Sequence, residues 1–119
     1  MKSISAGIFG VLTFVFLTIG FANAKDNTYT GEIMDSQCAK EGSHADMMKK
    51  HDIKTEKACT NGCVKNGGKY VLYDSSTKKV YQIDDQKKGE QFAGEKVKVM
   101  GSYDKATNSL HVTDIEAAS

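Results

Sequence analysis

The stretch KVKVMGSY, residues 96–103, decides the fold because valine and lysine alternate along it. Successive side chains of a β-strand point to opposite faces, so Val97 and Val99 are predicted to face a core while the lysines face water. Gly101 interrupts the alternation and predicts a bulge or bend. The stretch therefore predicts one half-buried strand of a small sheet.

Four further runs on either side of this strand also have β character. Residues 29–36 (YTGEIMDS) alternate in the same way and predict the first strand. Residues 70–74 and 79–84 are joined by the turn sequence SSTK and predict a hairpin. Residues 109–115 close the sheet, and a short helical turn that stops at Gly94 precedes the opening stretch.

The order of these elements predicts a fold class. Five strands with a short helix between the third and the fourth follow the order of an OB-type barrel. We therefore expect a mainly β protein, a small five-stranded OB-like barrel with a helical insertion between strands 1 and 2. In OB folds that connection borders the usual binding face, so the insertion is where a ligand is expected.

The N-terminal residues predict export. Lys2, an apolar run over residues 8–21 and the small-x-small sequence Ala22-Asn23-Ala24 predict a signal peptide over residues 1–24. Residues 25–119 then form a single OB-like β domain in a bacterial periplasm or outside the cell. The alternative is a retained anchor, but the apolar run is short for a spanning helix, so no stable membrane anchoring is expected after cleavage.

The charge balance argues against polyanionic partners. The chain has 16 basic and 15 acidic residues, every basic residue is lysine, and loss of Lys2 leaves the two signs equal. Nucleic acids and anionic lipids both require a basic surplus. No nucleic-acid partner is therefore expected, and the physiological partner stays open.

Residues 38–63 hold the chemistry-bearing side chains. All three cysteines lie there, together with two histidines and two adjacent methionines. Ser43 is predicted to cap a helix over residues 44–52, and Thr55 a second helix over residues 56–65 that ends at Asn66-Gly67-Gly68. No catalytic motif occurs in the chain, so the sequence predicts a binding module of unknown ligand rather than an enzyme.

Several motifs resemble a family of small exported bacterial proteins that is classed as a domain of unknown function. The likeness covers most of the chain after the signal peptide and implies a single secreted domain with a three-cysteine segment. It implies no particular activity. The motifs are DSQC (35–38), HADMM (44–48), CTNGCVK (59–65), GKYVL (68–72) and FAGEKVKVMG (92–101).

A soft-metal site is the sharpest hypothesis for the segment. Thiolate, imidazole and thioether ligands suit copper(I), whereas three cysteines and one histidine suit tetrahedral zinc, and the methionines place copper ahead. The histidines and methionines fall three, four and seven residues apart, which places them on one face of the predicted helix. The predicted ligands are Cys38, His44, Met47, Met48, His51, Cys59 and Cys63.

Two other interpretations stay open. In an oxidising compartment, a disulfide between Cys38 and either Cys59 or Cys63 would staple the insertion to the sheet, and the domain would be a structural interaction module. Alternatively, Cys59 lies near a helix start and near Lys57, which favours a thiolate and a thiol-redox role. The absence of a C-x-x-C sequence argues against the redox role.

Overall fold

The computed structural model describes residues 26–118. The predicted signal peptide over residues 1–24 lies outside the described residues. Within residues 26–118, no helix has both the length and the apolar character that a membrane crossing requires.

The described chain is mainly β and contains five strands and four helices. The alternating stretch of residues 96–103 lies in β4, and Val97 and Val99, which the alternation predicts to face inward, are fully buried. The strands are β1 (Asn27–Asp35), β2 (Tyr70–Asp74), β3 (Lys79–Ile83), β4 (Lys96–Asp104) and β5 (Ser109–Ala117). The helices are α1 (Ser36–Glu41), α2 (Ala45–Lys50), α3 (Glu56–Lys65) and α4 (Gln86–Gln91).

The five strands form one mixed sheet in the order β1-β2-β3-β5-β4, and β1 also pairs with β4. Four of the pairings are antiparallel and the pairing of β3 with β5 is parallel. The register of β4 against β5 shifts between Met100 and Gly101, which confirms the predicted bulge. A side chain at Gly101 would collide with the carbonyl oxygen of His111, so the bulge requires glycine.

Three helices occupy the connection between β1 and β2, where the sequence predicts a helical insertion with two helices. Helix α3 has the predicted bounds, and the Thr55 hydroxyl accepts a hydrogen bond from the Ala58 N–H at its start. Helix α2 is shorter than predicted and begins after His44. The Ser43 hydroxyl oxygen accepts a hydrogen bond from the Ala45 N–H in a local turn that competes with the first helical turn. Helix α1 was not predicted from the sequence.

Two apolar clusters lie on opposite faces of β1 and β2. Ile33 and Leu72 face each other across these strands and belong to the sheet core, which also holds the inward residues of β4 and β5. Met34 and Val71 form the next cross-strand pair and belong to a second group, which we call the cysteine cluster. The buried members of the cysteine cluster are Met34, Cys38, Ala39, Cys59 and Val71.

Candidate metal centre

The end of β1 positions the first thiol. Asp35 is the N-cap of α1, where its Oδ2 accepts hydrogen bonds of 3.0 Å from the N–H groups of Gln37 and Cys38. The capped turn directs Cys38 into the space beneath the helices, where the cysteine is fully buried. Asp35 is fully buried as well, and its Oδ1 accepts no hydrogen bond from any of the described residues.

Helix α3 supplies the other two thiols. Cys59 and Cys63 are four residues apart and therefore lie on one face of the helix, one turn from each other. Cys59 is fully buried, whereas Cys63 is only partly buried. The thiols therefore differ in access to water, with Cys63 as the outermost of the three.

His44 lies buried between the thiols and two carboxylates. Only 4% of its surface is exposed, yet neither ring nitrogen makes a hydrogen bond within residues 26–118. The Nε2 atom lies 3.5 Å from Oε2 of Glu32, which is an ion-pair distance without hydrogen-bond geometry. A buried imidazole normally satisfies at least one of its nitrogens, so this ring is a departure from the usual pattern.

Two groups of donor atoms meet at Cys38. Donor atoms of Cys38, His44 and Cys59 all lie within 4.8 Å of one another, and these three buried residues define the inner site. Donor atoms of Asp35, Cys38 and Cys63 meet the same distance limit. Cys38 is therefore the common member that joins the inner site to the outermost cysteine.

The surroundings keep the thiols protonated in the absence of a ligand. Burial and the contact with Asp35 raise the pKa of Cys38 far above its ordinary value of 9.0. Burial, with a further contribution from Asp35, raises the pKa of Cys63 to about 11. Burial also raises the pKa of Cys59, although its hydrogen bond with Cys38 acts in the opposite direction. Burial therefore acts against the thiolate that the helix start and Lys57 are expected to favour at Cys59.

A second cluster on the other side of His44 consists of Glu32 and Glu56. The Glu32 carboxylate raises the pKa of His44, against the opposing effect of burial. Burial acts to raise the pKa of Glu32, but the contacts with His44 and Glu56 outweigh it and lower the value. The contact with Glu32 raises the pKa of Glu56. These carboxylates hold the His44 ring at the edge of the inner site.

The predicted ligands in and beside α2 differ in burial. His51 is exposed at the C-terminal end of α2, whereas His44 is the buried N-cap residue, and its carbonyl oxygen accepts the first helical hydrogen bond from the Met48 N–H. The single ligand face therefore stays a prediction. Met47 and Met48 are partly buried and pack against the cysteine cluster. Met47, His51 and Cys63 line a surface cleft of about 420 Å³.

The structure contains no disulfide among the three cysteines, all of which lie in the described residues. The predicted pairing of Cys38 with Cys59 or Cys63 is thus not formed here, although Cys38 lies close to both partners. A disulfide of Cys38 with Cys59 or Cys63 therefore stays a prediction about the oxidised protein.

Sequence reasoning missed three acidic residues beside the site, namely Glu32, Asp35 and Glu56. A signal for Asp35 existed, because the period of two places it on the same face as Ile33, and a charge on a core face requires a partner. Glu32 and Glu56 carry no comparable signal, since acidic residues at a strand surface and in a first helical turn are ordinary.

Comparisons with known proteins give no match to a protein-family model, a curated protein or a solved structure. The function is therefore inferred from the residues of this chain, and the resemblance to a family of small exported bacterial proteins stays a prediction.

Proposed function

We propose that this protein binds one soft metal ion at the inner site, with copper(I) ahead of zinc. The observation that carries the proposal is the buried His44 ring, whose two nitrogens lack hydrogen bonds while its donor atom lies within 4.8 Å of two buried thiols. Imidazole nitrogen and cysteine sulfur are the ligands that these metals prefer.

The energetics of burial support a ligand at this place. A buried polar group without a partner costs about 1–3 kcal/mol. His44 and Asp35 both carry such atoms, and each has a donor atom within 4.8 Å of the Cys38 thiol. A metal ion bound by His44, Cys38 and Cys59 would satisfy one ring nitrogen and displace the thiol protons to water. Metal affinity is accordingly expected to rise with pH.

The number of donors supports copper(I) over zinc. The inner site offers three donors, whereas structural zinc sites almost always have four. Cys63 is the nearest fourth donor for zinc, since it lies within reach of Cys38. The thioether group of Met48 beside the cysteine cluster also suits the softer ion.

The scaffold belongs to the same proposal. We infer an OB-type barrel, which the strand order, the β1–β4 pairing and the parallel β3–β5 pairing support. The site then lies in the enlarged connection between strands 1 and 2, at the usual OB binding edge. An exported bacterial domain of this kind would serve as a metal-binding module without enzymatic activity of its own.

Competition titration under reducing, anaerobic conditions tests the proposal. The reduced protein would be titrated with copper(I), and separately with zinc, against a chromophoric chelator. We expect wild type to retain one ion and Cys59→Ala to lose at least tenfold in affinity, because even the loss of a group that only supports a ligand costs about 10–100-fold. His111→Ala is the matched control, because His111 is an exposed histidine on β5.

Thiol counting of the natively exported protein separates the alternatives. No retention of either metal, together with one free thiol, would reject the metal site in favour of the disulfide staple. A dithiol that cycles readily with mild oxidants and retains no metal would favour the thiol-redox role. Equal affinity in Cys59→Ala and wild type would also contradict the proposal.

A further inference from the structure

We propose that the cleft lined by Met47, His51 and Cys63 is the port through which the metal ion reaches the inner site. This inference depends on the proposed function and adds a second, outer set of donors with a different task. The outer donors hold the incoming ion first and pass it to Cys38.

The outer donors share one accessible surface. Met47, His51 and Cys63 line the same cleft of about 420 Å³. His51 is exposed and Cys63 is partly buried, whereas Cys38 and Cys59 have no exposed surface. An ion from solution therefore meets thioether, imidazole and thiol in this cleft before it can meet the buried donors. That combination is attractive to copper(I) in particular.

The link between the two sets of donors is short. The thiol of Cys63 lies within 4.8 Å of that of Cys38, and Cys38 is also a member of the inner site. An ion can therefore pass by ligand exchange from Cys63 to Cys38, with one sulfur–metal bond forming as another breaks. Each thiol releases its proton to water when it binds the ion, and Cys63 takes a proton back from water when it releases the ion, so charges balance and no change of oxidation state is involved.

Asp35 gives independent support for a cation between the thiols of Cys38 and Cys63. Its Oδ1 is fully buried and has no hydrogen-bond partner within residues 26–118, and one of its carboxylate oxygens lies within 4.8 Å of the thiols of Cys38 and Cys63. A buried, unpaired carboxylate oxygen is costly unless something positive comes near it. A cation that passes between the two thiols would come close to this oxygen and lower that cost.

The port assigns different roles to ligands that the sequence places in one set. The inner donors determine how tightly the ion is held, and the outer donors determine how fast it arrives. Removal of the outer methionine and histidine should therefore slow loading without weakening the final complex.

Stopped-flow transfer of copper(I) from a chromophoric complex to the reduced protein measures this rate. We expect the double variant Met47→Leu/His51→Asn to load roughly tenfold more slowly, within the range by which association rates vary among related variants. Its equilibrium affinity should equal that of wild type. The matched control is Met100→Leu/His111→Asn. It removes a methionine on β4 with 42% exposure and an exposed histidine on β5.

Each outcome has a distinct meaning. Slow loading with unchanged affinity supports the port, provided that the control variant loads normally. An unchanged loading rate overturns the port. A loss of equilibrium affinity caused by faster release of the ion also overturns it, because Met47 or His51 would then be ligands of the final complex. Copper(I) binding by wild type in all of these cases leaves the proposed function intact. Absence of binding by wild type rejects the proposed function itself.

Discussion

The sheet core and the cysteine cluster share two strands but differ in the pairing of the buried polar atoms beside them. Leu72 and Val71 are neighbours on β2, and each is almost fully buried on its own face. The sheet core contains only aliphatic and aromatic residues. The buried side-chain atoms that lack hydrogen bonds within residues 26–118 belong to Asp35, His44 and Thr60, all on the side of the helical connection.

This difference indicates a division of labour between the two faces. A core without unpaired buried polar atoms stabilises the fold and needs no ligand. A cluster with buried imidazole, carboxylate and thiols is less stable than an apolar one of the same size, so another gain must offset that cost. The proposed metal ion would provide such a gain if the folded state binds it more tightly than the unfolded chain does.

Truncation of the two neighbouring residues on β2 should separate the faces most clearly. Leu72→Ala leaves a cavity in the sheet core and is expected to lower the free energy of unfolding by about 2–5 kcal/mol. Val71→Ala removes fewer atoms and should cost roughly 2 kcal/mol, at about 0.8 kcal/mol for each buried methylene. Urea denaturation of both reduced, metal-free variants measures the two losses.

Metal affinity should respond in the opposite order. Leu72→Ala variants that remain folded should bind copper(I) as wild type does, while Val71→Ala loosens the packing around Cys38 and Cys59 and weakens binding. Equal changes of metal affinity in the two variants would contradict the division between the faces.

A smaller effect is expected at the start of α3. Thr55→Ala removes the hydroxyl that accepts the Ala58 N–H, and loss of such a cap typically costs about 1 kcal/mol. Because α3 carries Cys59 and Cys63, the damage should concentrate in the helical connection. Hydrogen exchange should therefore accelerate in α3 and remain unchanged in β4, and Thr55→Ser, which retains the hydroxyl, should behave like wild type.

The smallest effect is expected at the pair of Glu32 and His44, because their 3.5 Å contact lies at a partly exposed edge. The folded pKa of His44 lies above 6.5, so its stabilising contribution is complete below pH 6.5 and disappears as the pH rises through that folded value. The folded pKa of Glu32 lies below 4.5, so its contribution is complete above pH 4.5 and disappears as the pH falls.

The pair should therefore raise the free energy of unfolding of wild type most between pH 4.5 and 6.5. Urea denaturation of the metal-free protein across this window should show the gain, and Glu32→Gln should remove it. An identical pH dependence of the unfolding free energy in the variant and wild type would show that the pair is uncoupled from folding.

Local patterns predicted most of the fold. The alternation along β4, the turn sequence between β2 and β3, and the cap at Thr55 each depend on neighbours in the sequence. Helix α1 was missed because its cap, Asp35, also ends a strand. The predicted start of α2 is one residue too early, because the Ser43 hydroxyl accepts the Ala45 N–H in a local turn and His44 becomes the N-cap residue.

The sequence by itself determined which residues form strands, where α3 begins and ends, and that the three cysteines lie in one connection. Period and capping are local properties, so they can be read along the chain. Only the tertiary structure decided which donors meet. It brings Cys38 beside His44 and Cys59, leaves Asp35 buried without a full set of partners, and places Met47 and His51 at a cleft. These contacts depend on how the helices pack against the sheet, and that packing is set by long-range burial rather than by any neighbouring residue.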